Sequence, residues 1–284
     1  MEPKTYTVKA TDGTSLVMRF AAPEGAVRGV ICLVHGLGDY GGCFSHLINY
    51  FKAASFAVLA LDLHGNGSSE GPRGHIADYE ILYEDISLLL NEAKSLYPSI
   101  PVFLYGHSLG GNLVLNYELR RKPQVAGVIA SSPWLELVSH PVATRRIAKL
   151  VNRIKPDFIL NVGIDAKKLS HDPEFIRNYE ADTLVHGYIS AYLLAESYRA
   201  GIWAVEHANE FSHPLLLMHG GSDEITSYRA TERFFHGMGE KNAVLKIWDG
   251  DFHSLHNELN RQEIFDFVLL FIASIEKKTK SCTL

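Results

Sequence analysis

Two patterns of hydrophobic and polar positions alternate along this chain. Short, wholly apolar runs such as residues 30–34 have the length and composition of strands that are buried on both faces. Between these runs the apolar residues recur every three or four positions, most clearly over residues 81–96, which indicates helices that cover one face of a sheet. The succession predicts an α/β fold in which a mostly parallel central sheet is flanked by helices.

The predicted elements can be placed along the chain. A hairpin is expected at the start, because Asp12-Gly13 lies between two strand-like segments and this dipeptide favours a tight turn. Further strands are expected over residues 30–34, 56–61, 102–105, 125–130, 214–218 and 243–248. Helices are expected over residues 44–54, 81–96, 109–119, 228–237 and 258–277. Most strands are thus followed by a helix that can cross over to the next parallel strand.

The regular succession is interrupted between residues 133 and 205, where helical stretches occur with few strand signals. We therefore expect one core formed by residues 1–132 and 206–284, with residues 133–205 inserted as a mainly helical cap. One helix of this insertion is predicted to be apolar on one face and basic on the others; its apolar positions are Val142, Ile147, Leu150, Val151 and Ile154. Such a helix serves either as a lid over a pocket or as a surface that rests on lipid.

Charge and cysteine content exclude several classes of function. The 284 residues carry a formal net charge of −5, and their 27 Lys and Arg residues are scattered, which argues against nucleic acid as a partner. The three cysteines, Cys32, Cys43 and Cys282, lack metal-ligand spacing and are odd in number, so neither a zinc site nor a disulfide framework is expected. No secretory signal or membrane-spanning run is recognisable, so the sequence predicts a cytoplasmic protein.

The segment from Gly106 to Gly110, with the sequence Gly-His-Ser-Leu-Gly, follows an apolar strand and opens a helix. A strand that turns sharply into a helix can hold a serine side chain out of the sheet, and this geometry needs small residues on both sides. Gly106 and Gly110 meet that need, and His107 completes the motif. Ser108 is therefore predicted to be a nucleophile.

A serine hydroxyl is a weak nucleophile at neutral pH, so Ser108 needs a histidine as base and a carboxylate that orients this base. Asp223 and His253 each follow one of the last two predicted strands. They are the predicted acid and base, because both lie in loops at strand ends and the chain order is Ser, Asp, His. His256 and Asp251 are the alternatives: the first lies one turn further along, and the second is too close to His253 in sequence to orient it independently.

Hydrolysis by a serine also requires hydrogen-bond donors for the oxyanion. The segment His35-Gly36-Leu37-Gly38 directly follows the first buried strand. In an architecture of this kind, one backbone N–H comes from such a loop and the other from the residue after the nucleophile. The predicted donors are the N–H groups of Leu37 and Leu109, with His35 and Gly36 supporting the loop. No metal and no organic cofactor is expected to take part.

Five motifs in a fixed order give the chain a family resemblance. They are His-Gly-Leu-Gly (35–38), Asp-Leu-His-Gly-Asn-Gly-Ser (62–68), Gly-His-Ser-Leu-Gly-Gly (106–111), His-Gly-Gly-Ser-Asp (219–223) and His-Ser-Leu-His-Asn-Glu (253–258). On these residues the chain resembles the α/β-hydrolase superfamily and, within it, the capped monoacylglycerol lipases and lysophospholipases. The resemblance implies that Ser108, Asp223 and His253 form a catalytic triad and that the insertion roofs an acyl channel. Asn66 stands where this group usually has a histidine, and its implied role is to shape a loop.

The triad and the resemblance together predict hydrolysis of carboxylic esters through an acyl-enzyme on Ser108. Monoacylglycerols are the leading substrate class; lysophospholipids and simple carboxyl esters are alternatives, and transient contact of the cap with a membrane or micelle stays open. An aminopeptidase would need acids in the cap to bind the substrate amine; the candidates are Glu136, Glu174, Glu180, Asp182 and Glu196. A ligand-binding protein that keeps the fold without turnover is the last alternative. Acyl-chain length and oligomeric state are left open by the sequence.

Overall fold

The computed structural model describes residues 3–138, 151–239 and 242–281. Within these ranges, strands β1 to β10 cover Lys4–Lys9, Ser15–Ala21, Gly29–Val34, Phe56–Leu61, Val102–His107, Gly127–Ser131, Ile159–Asn161, Tyr188–Ser190, Leu215–Gly220 and Ala243–Trp248. The α-helices that lie wholly within them, α1 to α7, cover Ser45–Ala53, Glu80–Leu96, Leu109–Arg121, Pro173–Ala181, Ala191–Glu206, Tyr228–Gly237 and Arg261–Ser281.

Eight of these strands form one sheet in the order β1-β2-β4-β3-β5-β6-β9-β10. The strands from β4 to β10 in this order pair in parallel, whereas β2 pairs antiparallel with both β4 and β1. The predicted α/β class with a mostly parallel sheet is therefore confirmed. The opening hairpin is present as well, although residues 10–14 join its strands in place of a two-residue turn.

Each face of the sheet buries its own hydrophobic cluster, because successive side chains of a strand point to opposite faces. In β3, Val30 and Cys32 pack in the cluster that also contains residues of α2 and α3. Ile31 and Leu33 pack in the other cluster, together with residues of α1 and α7. All of β3 is buried, which explains why it reads as a continuous apolar run. Helices cover both faces, so the loops at the carboxyl ends of the strands are left to form a site.

Residues 133–205, the predicted insertion, contain two short strands besides their helices. In its described part, α4 and α5 are accompanied by an antiparallel pair formed by β7 and β8. Each of these strands has only 3 residues, too few to show a period-two pattern. Residues 139–150, which include most of the predicted amphipathic helix, lie outside the described residues. Residues 151–154 are helical, and the side chain of Ile154 is exposed.

The last helix starts later than predicted. α7 begins at Arg261 because residues 255–257 form a short 3-10 turn and the carboxylate of Glu258 is engaged by other segments. It accepts hydrogen bonds from the N–H of Phe252 at 2.7 Å and from the N–H of His171 at 2.9 Å. Neither α7 nor any other helix in the described ranges is long and apolar enough to span a lipid bilayer.

Candidate active site

Ser108 lies at the turn between β5 and α3, and its backbone is held in a conformation that few residues adopt. Its φ of 55° and ψ of −117° lie outside the regions that are favourable for residues with a side chain. Such strain costs about 1–3 kcal/mol and persists only where the surroundings enforce it. Here the N–H of Ser108 donates to the carbonyl of Ser131 at 3.0 Å, and its own carbonyl accepts from the N–H of Trp134 at 2.9 Å.

The two glycines that flank this serine are required by close packing of the backbone. A Cβ atom on Gly110 would lie 2.2 Å from the carbonyl oxygen of Val34. A Cβ atom on Gly106 would lie 2.2 Å from the carbonyl oxygen of Gly110. The start of α3 therefore packs directly on the end of β3, which places Ser108 beside the loop that follows β3. A Cβ atom on Gly36 of that loop would lie 3.1 Å from the Cβ of Ser108.

Asp223 and His253, the predicted acid and base, lie in the loops after β9 and β10 and are in contact. The Nδ1 of His253 is 2.7 Å from the Oδ2 of Asp223, and both side chains are buried. Ser108 and His253 line the same cavity. The alternative acid, Asp251, accepts a hydrogen bond from the side chain of Asn260 at 2.9 Å instead. The structure thus brings the three predicted residues to one place.

Both oxygens of Asp223 accept hydrogen bonds. Its Oδ1 accepts from the N–H groups of Ile225 at 2.7 Å and of Thr226 at 3.0 Å. Its Oδ2 is 2.8 Å from the hydroxyl of Thr226 and 3.1 Å from the Nε2 of His219. Burial alone would raise the pKa of this carboxyl, but the neighbouring His253 and the hydrogen bonds from His219 and His253 hold it well below its usual range. Asp223 therefore stays ionised at neutral pH.

Two further buried histidines, His107 and His256, lie close to His253. The ring centroids of His107 and His253 are 4.8 Å apart, and those of His107 and His256 are 4.7 Å apart. Burial and the neighbouring imidazoles hold the pKa of His107 well below its usual value and lower that of His256 to about 3. His256, the alternative base, stacks on Phe44 at 4.1 Å and is not among the residues that line the cavity. It is therefore a packing residue.

The loop after β3 is shaped by His35. Its Nε2 accepts a hydrogen bond from the N–H of Leu63 at 2.9 Å, so the proton is on Nδ1, which lies 2.8 Å from the carbonyl of Gly36. Burial lowers the pKa of His35 and keeps it neutral. Among the hydrogen bonds of the described residues, none is donated by the N–H of Leu37 or of Leu109. Both groups are thus free to bind an oxyanion.

The cavity beside Ser108 has a volume of about 280 Å³. Its wall is formed by residues of the segment 133–205, the predicted insertion, and by residues outside that segment. Its lining is mostly apolar; the apolar residues among those described are Leu37, Trp134, Leu137, Val162, Ile164, Leu169, Ile189, Leu194 and Ile225. Such a wall suits a hydrocarbon chain.

Asp39 and Tyr179 add a polar group to this cavity that the sequence analysis did not identify. The hydroxyl of Tyr179, on α4, is 3.2 Å from the Oδ1 of Asp39. Burial raises the pKa of Asp39 to about 6, although the nearby His253 and the hydrogen bond with Tyr179 act in the opposite direction. Asp39 lies two residues after Leu37 in the predicted oxyanion loop, so its position in the sequence was a usable signal. Tyr179 carried no such signal, because it comes from the insertion.

The cavity has more acidic than basic side chains. Lys168 is the single cation among the described lining residues, and its Nζ forms an ion pair with Glu224 at 2.8 Å. Asp39 and Asp165 also line the cavity. The acids predicted as amine ligands do not line it; they are Glu136, Glu174, Glu180, Asp182 and Glu196. Three of them have other partners, Glu136 with Arg233, Asp182 with Tyr40 and Glu196 with Arg199.

Comparisons with known proteins agree over most of the chain. The family model described as serine aminopeptidase, S33 matches residues 25–260. A monoacylglycerol lipase of Mycolicibacterium smegmatis is 29% identical over 272 residues, which is 95% of this chain and 96% of the relative. An uncharacterised abhydrolase domain-containing protein of Dictyostelium discoideum is 30% identical over 275 residues, but the match spans only 29% of its length. A crystal structure of a monoacylglycerol lipase from Paleococcus ferrophilus superposes with a TM-score of 0.80 at 31% identity, over 91% of this chain and 99% of that one.

Proposed function

This chain belongs to the serine aminopeptidase S33 family of α/β-hydrolases, and on that premise we propose that it hydrolyses monoacylglycerols to glycerol and fatty acid. The predicted fold and the predicted class of enzyme, a carboxylic ester hydrolase, are confirmed by the comparisons above. What we propose beyond this class is the substrate and the role of each residue at the site. The observation that carries it is the mostly apolar cavity that Ser108 and His253 line together.

In the first half of the proposed reaction, the Oγ of Ser108 attacks the ester carbonyl and His253 accepts its proton. The N–H groups of Leu37 and Leu109 stabilise the negative charge that develops on the carbonyl oxygen. His253 then gives the proton to the oxygen of the departing glycerol. The acyl chain remains as an ester of Ser108, inside the apolar part of the cavity.

In the second half, a water molecule attacks this ester, and His253 again accepts a proton and returns it to Ser108. Asp223 remains ionised throughout, because its pKa is held well below the usual range. Its role is to hold the Nδ1 proton of His253 and to stabilise the imidazolium that forms twice in each cycle. The fatty acid is then released.

The size and charge of the cavity favour a neutral ester with one acyl chain. A volume of about 280 Å³ lies just below the range for small-molecule sites, roughly 300–1,000 Å³. Three carboxylates but only one ammonium group line it, and Glu224 already pairs with that Lys168 ammonium. A phosphate headgroup would therefore meet net repulsion, whereas glycerol can donate hydrogen bonds to a carboxylate such as that of Asp39.

We propose that residues 133–205 act as the cap of this cavity. The support is that residues of the insertion, such as Leu137, Leu169 and Leu194, line the cavity together with Ser108 of the core. Contact of this cap with a membrane or micelle is part of the proposal. It is supported by apolar side chains that face solvent on the insertion: 76% of Ile154, 42% of Phe158 and 45% of Val162 are exposed.

An aminopeptidase is the second candidate. The description of the matching family favours it, and so does Asp39, a carboxylate in the cavity wall that could bind the amino group of a peptide. The acids that the sequence analysis named for this task are not in the cavity wall, so Asp39 would have to take their place.

The test is a set of initial rates for the wild type, Ser108→Ala and Ser99→Ala. The substrates are monoacylglycerols of increasing chain length, an anionic lysophospholipid and an amino-acyl anilide. Ser99 is exposed, so its substitution is the matched control and should leave the rates unchanged. Ser108→Ala should lose about a million-fold in kcat.

For the wild type we expect monoacylglycerols to give the highest kcat/KM. Each added methylene should raise it roughly fourfold until the cavity is filled, since burying a methylene contributes about 0.8 kcal/mol. A preference for the lysophospholipid would contradict the charge argument, and a preference for the anilide would establish the aminopeptidase instead. Equal rates for the wild type and Ser108→Ala would contradict the serine mechanism itself.

A further inference from the structure

His219 is a buried imidazole in contact with the acid of the proposed triad. It lies near the end of β9, four residues before Asp223, and its side chain is 0% exposed. Its Nε2 is 3.1 Å from the Oδ2 of Asp223, the same oxygen that lies 2.7 Å from the Nδ1 of His253. One carboxylate oxygen therefore lies between two imidazoles, of which the reaction described above uses only one.

The surroundings of His219 fix which nitrogen carries its proton. Besides Asp223, its Nε2 faces the carbonyl oxygen of Thr226 at 3.2 Å and the hydroxyl of Thr226 at 3.1 Å. The hydrogen of this hydroxyl is directed at Asp223 or at the carbonyl of Ser132, so its oxygen accepts from His219 and the Nε2 is the donor. Its Nδ1 is 2.8 Å from the hydroxyl of Thr231, on α6, which can donate to it. A single neutral tautomer thus satisfies both nitrogens, with the Nε2 proton directed at Asp223.

We propose that His219 is a positioning residue, which holds the Oδ2 of Asp223 in place for His253 by donating its Nε2 proton to that oxygen. The backbone N–H groups of Ile225 and Thr226 bind only Oδ1. On Oδ2, the donor from His219 acts beside the hydroxyl of Thr226 at 2.8 Å; it opposes rotation of the carboxylate and takes up part of its negative charge. The inference rests on the proposed roles of Ser108, Asp223 and His253.

The effect of His219 can be separated from that of the other titratable groups around the pair. These groups are Asp39 in the loop after β3, His107 in β5 and His256 in the loop after β10. Helix α6 contributes only the hydroxyl of Thr231. All of them remain when residue 219 is changed. A difference in pH dependence between variants at this position therefore reports on the hydrogen bond to Asp223.

The experiment compares His219→Gln with His219→Met, two side chains of nearly the same length. The amide of Gln can place an N–H where the Nε2 proton of His219 lies, whereas Met has no donor. The readout is the rate at which a fluorophosphonate labels Ser108, measured from pH 5 to pH 9, with the melting temperature as a check of folding. Labelling requires the base but not the natural ester, so it does not depend on which substrate is correct.

We expect His219→Gln to be labelled within about threefold of the wild-type rate, and His219→Met to be labelled roughly tenfold more slowly, as for the loss of one hydrogen bond to a charged group. In His219→Met more negative charge remains on Asp223, which stabilises the imidazolium of His253. Since His253 must be neutral to act as base, the acidic limb of the profile should move to higher pH by roughly half a unit.

An unchanged rate and profile for His219→Met would overturn the inference. So would equal losses in the Gln and Met variants with wild-type melting temperatures, because shape and not the donor would then matter. If the Met variant does not fold, His219→Asn takes its place, since its amide is too short to reach Oδ2; a wild-type profile for it would again overturn the inference. Labelling of the wild type without monoacylglycerol turnover would contradict the proposed substrate alone, and absence of labelling would contradict the proposed triad.

Discussion

Ser108 and Asp223, the proposed nucleophile and acid, are both held firmly, but by different means. Around Ser108 the backbone packs so closely that Gly106 and Gly110 have no room for a side chain, and the strained φ of 55° is maintained by that packing. Around Asp223 the position is fixed by polar side chains and N–H groups from several segments. The serine is thus positioned mainly by shape and the acid by hydrogen bonds. We call the surroundings of Ser108 the steric half of the site and those of Asp223 the polar half. Added side-chain volume should disrupt the steric half, and loss of a hydrogen-bonding group should disrupt the polar half.

Among the substitutions that test this contrast, the largest effect is expected from Asp223→Asn, which disrupts the hydrogen-bonded surroundings of Asp223 directly. The amide cannot stabilise the imidazolium of His253 and favours the wrong tautomer, so kcat should fall about 10⁴-fold with little change in KM. Steady-state rates on a monoacylglycerol measure this loss. Asp251→Asn is the matched control and should stay within a fewfold of the wild type; a larger loss in the control than in Asp223→Asn would identify Asp251 as the acid.

Gly110→Ala tests the steric half. Its Cβ would lie 2.2 Å from the carbonyl oxygen of Val34, and backbone atoms cannot yield as a flexible side chain can. The free energy of unfolding should fall by more than about 3 kcal/mol, as measured by urea denaturation. Gly25→Ala is the control, because nothing lies within 4 Å of a Cβ at that position. Similar stabilities for the two variants would show that close packing does not determine the turn from β5 into α3.

A smaller effect is expected from Thr226→Val, which removes the hydroxyl 2.8 Å from the Oδ2 of Asp223 but leaves the backbone donor to Oδ1. We expect kcat to fall roughly tenfold, as for the loss of one hydrogen bond to a charged group. Thr226→Ser keeps the hydroxyl and should restore most of the rate. If Ser and Val behave alike, the hydroxyl does not support the acid.

The smallest effect concerns Asp39, a polar group on the side of the cavity where Ser108 is held by packing. Because burial raises its pKa to about 6, the folded state binds its proton more tightly than the unfolded state. Stability from this group is therefore complete below pH 4 and is lost as the pH rises through about 6. Asp39→Asn avoids that loss and should raise the free energy of unfolding by about 1 kcal/mol at pH 8, since solvent screens a partly exposed group.

Chemical denaturation at pH 8 and pH 4 checks this prediction. The stabilisation by Asp39→Asn should disappear at pH 4, where the wild-type carboxyl is protonated. Asp249→Asn, at an exposed position, is the control and should show no such dependence. Equal stabilisation at both pH values would mean that ionisation of Asp39 is not responsible.

The contrast between the two halves also explains how much could be predicted from the sequence. The sharp turn from β5 into α3 is encoded in the five residues 106–110, so the turn at Ser108 and the need for its two flanking glycines could be predicted from the sequence. The bounds of β4, α6 and β10 agree with their predictions, because β4 is one unbroken apolar run and turn-forming residues border α6 and β10. His219 lies in a motif that was recognised, but its contact with Asp223 depends on how β9 and the following loop fold together.

The insertion was the least predictable region. Its two strands are too short for a periodic signal, and they pair across 26 intervening residues, from Asn161 to Tyr188. Tyr179 reaches Asp39 from α4, 140 positions away in the chain. Contacts of this kind depend on packing between the insertion and the core, which local patterns do not record.

The central claim is that Ser108 lies in a cavity built for a monoacylglycerol, and competitive labelling tests it most directly. The wild type is treated with a fluorophosphonate alone, with a monoacylglycerol or with an anionic lysophospholipid, and the labelled peptide is identified by mass spectrometry. The account predicts one label, on Ser108, and slower labelling with the monoacylglycerol but not with the lysophospholipid. A label on another residue, or stronger protection by the lysophospholipid, would contradict it.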